Sequence, residues 1–523
     1  MDKDNLVLAQ STENQDSPDE VFLQKQLLYQ LDTNGSSDYS RNEVEFNTTS
    51  WSNSGKFLNL REGFALIPLV FSVKSNNHDI SNGEEDANGD FINGPALNLK
   101  LKSDNLNIIN SFMCDYNNEN VVQANPEIAP YLQFLKNTTS SFDDTKLMAH
   151  TGLRDTTQYD WDYNNEYGVI FQDTQFSKIP SPFFVENTQK EKLLGSLSSA
   201  SGINYNDRSS PREHFYYYNC FIRLKDLPFM DSMVMSRGSN IRMLFTLNQL
   251  ELTIEHTASG ITQNMNKKGS SCPFLLSIED VVNALPNIGD KMTITCNVAK
   301  TTNSQTHAFG QARLYAPAYT LSPEVKKSLE VSPQRHLVYN DIHMNHIRKV
   351  PAGKNFNYLV SNAISRLKRL VIVPYLSSNT TGQTNGNGSI GWDSVSSPFT
   401  EDGLCHPAPC TIQDFNVSVS GVNVYSTTRK FKFEQYLDEL DCSYGVEGGL
   451  QDGMRTGLFG LQDYESNQGY IVVDLSRKSE PDETVPVSIE ISGVNKGTKD
   501  LEFLCYMEIE KDIKIDCITG MKL

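Results

Sequence analysis

The sequence predicts an all-β chain of two β-sandwich lobes with short helices and long loop insertions. Runs of apolar and polar residues alternating with period 2 recur from Phe57 to the C-terminal end. Helical spacing is confined to short stretches, and each half of the chain carries many strand-like runs with one short helix late in it. The repeat is architectural, without residue-level identity between the halves. A length of 523 residues gives two such lobes a full core each. A composition of 38% hydrophobic and 21% charged residues is that of a folded chain with a polar surface. The divisions read from the sequence are an N-terminal arm over 1–50, a first lobe over 51–305 and a second over 306–523.

The arm is polar. Only Val21 to Leu31 has helical apolar spacing, through Leu23, Leu27, Leu28 and Leu31, so one short amphipathic helix docked on a neighbour is expected. Phe57 to Val73 then holds a run, Phe64 to Phe71, too apolar to be half exposed. Leu97 to Phe112 alternates. A helical piece is expected over Ile128 to Leu135. His214 to Leu227 is aromatic-rich, which suits strands. Ile241 to Ile254 alternates, as do Met292, Ile294, Cys296 and Val298. Ser277-Ile278-Glu279-Asp280 predicts a capped helix running to Leu285.

In the second half, strands are expected at Ala312 to Leu321, Leu337 to Asn345, Leu367 to Leu376, Ile412 to Tyr425, Tyr470 to Leu475, Val485 to Ile491 and Leu501 to Ile515. Ser322-Pro323-Glu324 opens a helix with proline at its first position. Phe415, Val417 and Val419 alternate with Asn416, Ser418 and Ser420. The phase then slips by one at Gly421, which predicts a glycine bulge. Phe433, Tyr436, Leu437 and Leu440 form one face of a short helix. The loops 76–94 and 379–391 are polar and Gly/Asn-rich, and are expected on exposed rims.

Charge and motifs exclude several function classes. The formal net charge is −19, and the nearest basic cluster, Arg366 to Arg369, sits inside a strand-like run, so direct sequence-specific nucleic-acid binding is not expected. No apolar run reaches membrane-spanning length, and Met1-Asp2-Lys3-Asp4 lacks a signal-peptide pattern. The nine cysteines are scattered and odd in number; reduced thiols are expected, and the spacing of Cys405 and Cys410 is not that of a zinc site. Asp341-x-His343-x-x-His346 invites a metal reading, but in a strand His343 and His346 point to opposite faces. Asp86-x-Asn88-Gly89-Asp90 has Leu97 where a calcium loop needs Glu. Cys220 near His214 reads as a core thiol. The sequons at Asn47, Asn137, Asn379 and Asn387 read as chance in an Asn/Thr-rich chain. No hydrolase, zincin or phosphate-loop signature is present. No catalytic residue, cofactor site or metal site is therefore assigned, and the chain is not expected to be an enzyme.

Several segments carry a family resemblance. They are Arg313-Leu314-Tyr315-Ala316-Pro317-Ala318-Tyr319; Leu370 to Leu376 with Ser397-Pro398-Phe399; Phe415 to Val424; Phe433 to Leu440; Tyr470 to Arg477; and Ile515-Asp516-Cys517-Ile518-Thr519-Gly520. Their order and spacing resemble the major capsid proteins of polinton-like viruses, virophages and related eukaryotic double-stranded DNA viruses. The resemblance implies a double jelly roll, two sandwiches standing side by side in an icosahedral shell. It implies a homotrimer forming a pseudo-hexameric capsomer, joined by heterologous contacts. The implied partners are neighbouring capsomers, penton proteins and other minor capsid proteins, and the implied location is the virion capsid, made and assembled inside a host cell. Apolar strands on more than one face leave sides that the trimer would cover. The rival reading is a receptor- or carbohydrate-binding β-sandwich spike or fibre, which would need exposed aromatic platforms; Trp161 and Trp392 are the loop tryptophans. A metal-holding enzyme on a jelly-roll scaffold is the second rival.

Overall fold

The computed structural model describes residues 22–33, 42–75, 99–101, 105–139, 212–298 apart from 270, 277–284 and 286, 311–377, 408, 410–445, 461, 464–465, 468–476 and 486–523. The expected helix from Ser277, the loops 76–94 and 379–391, and Trp161 and Trp392 lie outside these residues.

The first lobe is built from β1 (Phe22–Leu31), β2 (Glu43–Asn47), β3 (Phe57–Leu58), β4 (Phe64–Ser75), β5 (Leu99–Leu101), β6 (Ile109–Tyr116), β7 (Glu119–Val122), β8 (Arg212–Arg223), β9 (Ile241–Leu247), β10 (Gln249–Thr257), β11 (Gly260–Lys268), β12 (Phe274–Leu276), β13 (Lys291–Val298) and β14 (Arg313–Leu321). An eight-stranded sheet runs β1-β14-β4-β13-β10-β11, with β3 added on β14 and β8 on β4. It faces a four-stranded sheet, β2-β9-β6-β7, while β5 and β12 pair apart. Alternation decides which side chains meet. Ile294, Cys296, Leu252, Ile254, Ile67 and Leu314 point from the large sheet onto Phe46, Phe112, Met243 and Phe245 of the small one, all of them buried.

The second lobe contains β15 (Gln334–Val350), β16 (Asn355–Ile364), β17 (Leu367–Leu376), β18 (Ile412–Val419), β19 (Val422–Asn423), β20 (Ile471–Asp474), β21 (Val487–Asn495) and β22 (Leu501–Asp516). Its two sheets run β15-β22-β17-β20 and β16-β21-β18-β19. Successive strands therefore cross from one sheet to the other almost every time, which is the jelly-roll order. Between the sheets lie Leu370, Ile372, Phe415, Val417, Ile489, Ile491, Phe503 and Cys505. Each such side chain contributes roughly 1.5–3 kcal/mol when fully buried.

Three helices sit where the sequence places them: Ala129–Thr139, Pro323–Val331 and Phe433–Gly445. Ser322 caps the second of these, its Oγ accepting from the N–H of Val325 at 3.4 Å.

Other expectations are corrected. Val21 to Leu31 does not form a helix; Phe22–Leu31 is a strand laddered on β14 from Gln24 opposite Thr320 to Leu31 opposite Arg313. Leu23, Leu27 and Leu31 satisfy both a helical and an alternating pattern, and the free edge of β14 decides between them. Glu43–Asn47, read as arm, pairs with β9 and buries Val44 and Phe46. Arg313–Leu321, read as the opening strand of the second lobe, pairs with β1, β3 and β4. The phase slip at Gly421 is not a bulge. Ser420 and Gly421 both have positive φ, 49° and 80°, and turn the chain back so that Val422 faces Val419. Two consecutive left-handed residues are what a tight two-residue hairpin requires. The bulge in this strand lies earlier, between Gln413 and Asn416.

Candidate functional site

Among the described residues, no side-chain constellation singled out in the sequence gathers into a reactive centre; Asp86 to Asp90 and Cys405 lie outside them. Among the described residues, no group of three or more His, Cys, Asp and Glu side chains could hold a metal ion. β15 pairs with β22 without interruption from Gln334 to Ile347, so His343 and His346 stay on opposite faces. His346 Nε2 lies 3.0 Å from Glu502 and its Nδ1 3.7 Å from Glu127. Asp341 is buried and accepts from Lys511 Nζ at 2.5 Å. Cys220 is a buried core thiol with its Sγ 3.5 Å from the carbonyl of Asn105, and His214 stands opposite Val73 in the β4–β8 ladder. The acceptor Asn137 of its sequon is buried, while Asn47 Oδ1 accepts the Thr49 N–H at 2.9 Å.

The Arg366 to Arg369 cluster is not a basic patch either. Arg366 pairs with Asp512 at 2.6 Å near the surface. Arg369 is 2% exposed and pairs with Glu508, 0% exposed, at 2.6 Å. The tyrosine hydroxyl of Tyr131, on the first lobe's helix, donates to the same Glu508. An ion pair of the second lobe thus takes its third partner from the first.

That contact belongs to a broad seam between the lobes, which sequence reasoning missed. In the sheet β15-β22-β17-β20, β20, β17 from Arg369 and the first nine residues of β22 are buried on both faces. One face packs inside its own sandwich. From the other, Val371, Val373, Tyr375, Val472, Leu504 and Tyr506 join the first lobe's core. Tyr131 packs against Tyr506 at 5.4 Å between ring centroids, Phe134 against Tyr470 at 5.0 Å, and Phe229 against Tyr339 at 4.9 Å. Two buried phenols of the second lobe find acceptors across the seam, Tyr506 on the Glu127 carbonyl at 2.6 Å and Tyr339 on the Val121 carbonyl at 2.9 Å. Burial pushes the hydroxyls of Tyr506 and Tyr339 above the ordinary phenol range, so both remain donors.

The C-terminal segment Ile515 to Gly520 closes the seam. The carbonyl of Gly520 accepts from Tyr116 at 2.7 Å and Asn117 at 2.6 Å, and Arg237 N–H donates to Cys517 at 2.8 Å. Glycines permit this approach. A Cβ on Gly238, where φ is +79°, would lie 2.5 Å from the Thr519 carbonyl oxygen. The sequence signal for the seam was the unbroken apolar run Leu370-Val371-Ile372-Val373. The sides that it left to be covered are covered by the other lobe of the same chain.

Among the described residues, one strand carries a row of exposed apolar side chains. On β1, Leu23, Leu27, Tyr29 and Leu31 are 66%, 54%, 62% and 43% exposed. Tyr29 begins a row of rings crossing four neighbouring strands, Tyr29–Tyr315 at 6.0 Å, Tyr315–Phe64 at 4.9 Å and Phe64–Phe221 at 4.6 Å. No helix among the described residues is long and apolar enough to cross a membrane.

Two jelly rolls fused along a shared core make this a double jelly-roll protein. A chain in the cryo-EM structure of the Sputnik virophage has the same fold, with a TM-score of 0.50 at 11% identity over 96% of this chain and 88% of that one. The chain is also similar to the mavirus major capsid protein, with a TM-score of 0.43 at 10% identity over 98% and 93% of the two chains. The Faustovirus major capsid protein gives a TM-score of 0.42 at 10% identity over 96% and 92%. No family model matches the sequence, and no curated protein matches it.

Proposed function

We propose that the chain is the major capsid protein of an icosahedral double-stranded DNA virus and acts by self-assembly, without a catalytic step. The observation that carries this reading is the double jelly roll itself, shared over nearly the whole chain with a component of the Sputnik virophage particle. The fused seam supports it: two sandwiches locked into one body form a building block with six-fold pseudo-symmetry once three copies close a ring. In this reading Phe22–Leu31 is an arm strand added to the edge of the first jelly roll, which runs on from Glu43 to Leu321, and the second jelly roll runs from Gln334 onward. The location is the virion capsid, and the partners are two further copies, neighbouring capsomers, and penton and other minor capsid proteins. Mass measurement of the purified full-length chain tests the reading. Three copies per particle with a hexagonal outline in electron micrographs are expected. A stable monomer at micromolar concentration overturns it.

A further inference from the structure

The large sheet of the first lobe has two ends, and they are built differently. β11, at one end, exposes Asn264, Asn266 and Lys268. Polar residues and lysine are the usual defence of an edge strand against pairing with another chain. β1, at the other end, has ten residues, no proline, and a single charge, Lys25. Its only bulge lies at the start, between Phe22 and Gln24, so the remainder runs straight. Among the described residues no strand lies on its outer edge. None of its residues is buried; one face carries Leu23, Leu27, Tyr29 and Leu31 with Lys25, paired to Glu62 at 3.6 Å, among them, and Gln24 and Gln26 are exposed on the other. These four side chains expose on the order of 400 Å², within the size range of patches that mark interaction sites.

The occupant must supply a backbone as well as apolar contact. A lipid surface would leave the N–H and C=O groups of this edge unpaired in an apolar medium, at several kcal/mol each. A polypeptide strand satisfies both. β1 is complementary to itself: antiparallel pairing about Leu27 sets Leu23 against Leu31 of the partner subunit and Lys25 against Tyr29 of the partner subunit, so no like charges oppose one another. A second copy also brings an equal stripe to the same face. We propose that β1 pairs antiparallel with β1 of a second copy, extending the sheet across a two-fold axis and joining one capsomer to the next. Capsomer joining rests on the capsid reading above; the strand pairing itself does not. A two-fold contact cannot close a ring of three, so it is distinct from the trimer interface.

Single cysteines in the full-length chain test the pairing. Leu27→Cys should give disulfide-linked chain pairs on mild oxidation, whereas Asn264→Cys on β11 and the unsubstituted chain should not. The double variant Leu27→Lys, Tyr29→Lys changes exposed side chains only. It should leave the trimer intact and weaken association between trimers at least tenfold in sedimentation. Absence of the Leu27→Cys link overturns the proposal, as does unchanged association of the double variant. Loss of the trimer itself in that variant also overturns it, because β1 would then lie inside the capsomer. Binding of the unsubstituted chain to phosphatidylcholine–phosphatidylserine vesicles, abolished in the double variant, would assign the stripe to lipid instead. The disulfide result reads strand pairing even if the chain forms pairs rather than trimers, so its failure and that of the capsid reading are separable.

Discussion

The two sheets of the second lobe have four strands each, yet their sequences follow different rules. In the outer sheet, Phe356 and Val360 are buried while Asn355, Asn357 and Leu359 are exposed, and β21 alternates likewise from Val487 to Ser492. In the seam sheet, β20 is buried at every position, as are the first nine residues of β22. The difference is the number of faces each sheet buries. Water on one face imposes alternation; packing on both erases it. A strand's departure from alternation thus reports a second interface, though not which surface fills it.

The sharpest way to break this comparison is to place the same loss on each side of it. Arg369 and Arg366 belong to one short segment, and both pair with acids of β22. Replacing Arg369 with Met strands Glu508 as an unpaired buried charge beside Tyr131, so a loss of about 3–5 kcal/mol is expected. Arg366→Ala removes a surface pair worth at most about 1 kcal/mol. Denaturant titration of both variants measures the ratio. The double variant Arg369→Met, Glu508→Leu should regain most of the loss, because no charge is then left buried. Equal losses from Arg366→Ala and Arg369→Met would mean that the seam is wet.

A smaller effect separates apolar positions. Leu504→Ala removes a fully buried seam side chain and should cost about 2–5 kcal/mol. Leu359, on the outer sheet, is 53% exposed, and its replacement by Ala should stay within about 0.5 kcal/mol. Calorimetry adds a second readout. With the core continuous across the lobes, the unsubstituted chain should melt in one transition, and Leu504→Ala should begin to split it.

The sequence made some of this legible and hid the rest for physical reasons. Met292, Ile294, Cys296 and Val298 alternate as expected because their strand has one buried face. The helix from Phe433 is correct because its i, i+3, i+4 face has no competing strand pattern. A phase slip was visible and harder to interpret. The slip at Gly421 is a hairpin. Ile241 to Ile254, read as one alternating run, is two strands whose facing changes after Leu247, where the chain passes from the small sheet to the large one. There buried Asn248 donates to the Asn107 carbonyl at 3.1 Å. Local pattern shows that the facing changes, and a bulge, a turn or a change of sheet all produce that signal. β1 was misread because leucines spaced by four fit both periods. The seam was illegible at the level of residues. Tyr131 and Glu508 are 377 positions apart, and nothing in either neighbourhood names the other. The helical stripe of Leu23, Leu27, Leu28 and Leu31 shares three residues with the exposed face of β1; Leu28 turns to the core instead, and Tyr29 takes its place.

The smallest expected effect lies where the two sheets are tied together. Glu439, on the helix Phe433–Gly445, accepts from the Tyr425 hydroxyl at 2.9 Å and from the Asp474 N–H of β20 at 2.9 Å. Burial pushes its carboxyl above the ordinary range. The nearby Asp474 charge adds to this, while the two hydrogen bonds and Arg429 offset part of it. An acid whose folded-state pKa exceeds its unfolded value binds a proton more tightly when folded. Its contribution therefore favours folding most at pH below the unfolded pKa. The contribution falls as pH rises through the folded one and stays low above it. Glu439→Gln removes this titration and keeps a hydrogen-bonding amide in place. Stability of the unsubstituted chain relative to the variant should accordingly decline as pH is raised from the acid side toward neutrality, and then level off. A pH-independent difference between the unsubstituted chain and the Glu439→Gln variant would show that the carboxyl is solvated in solution.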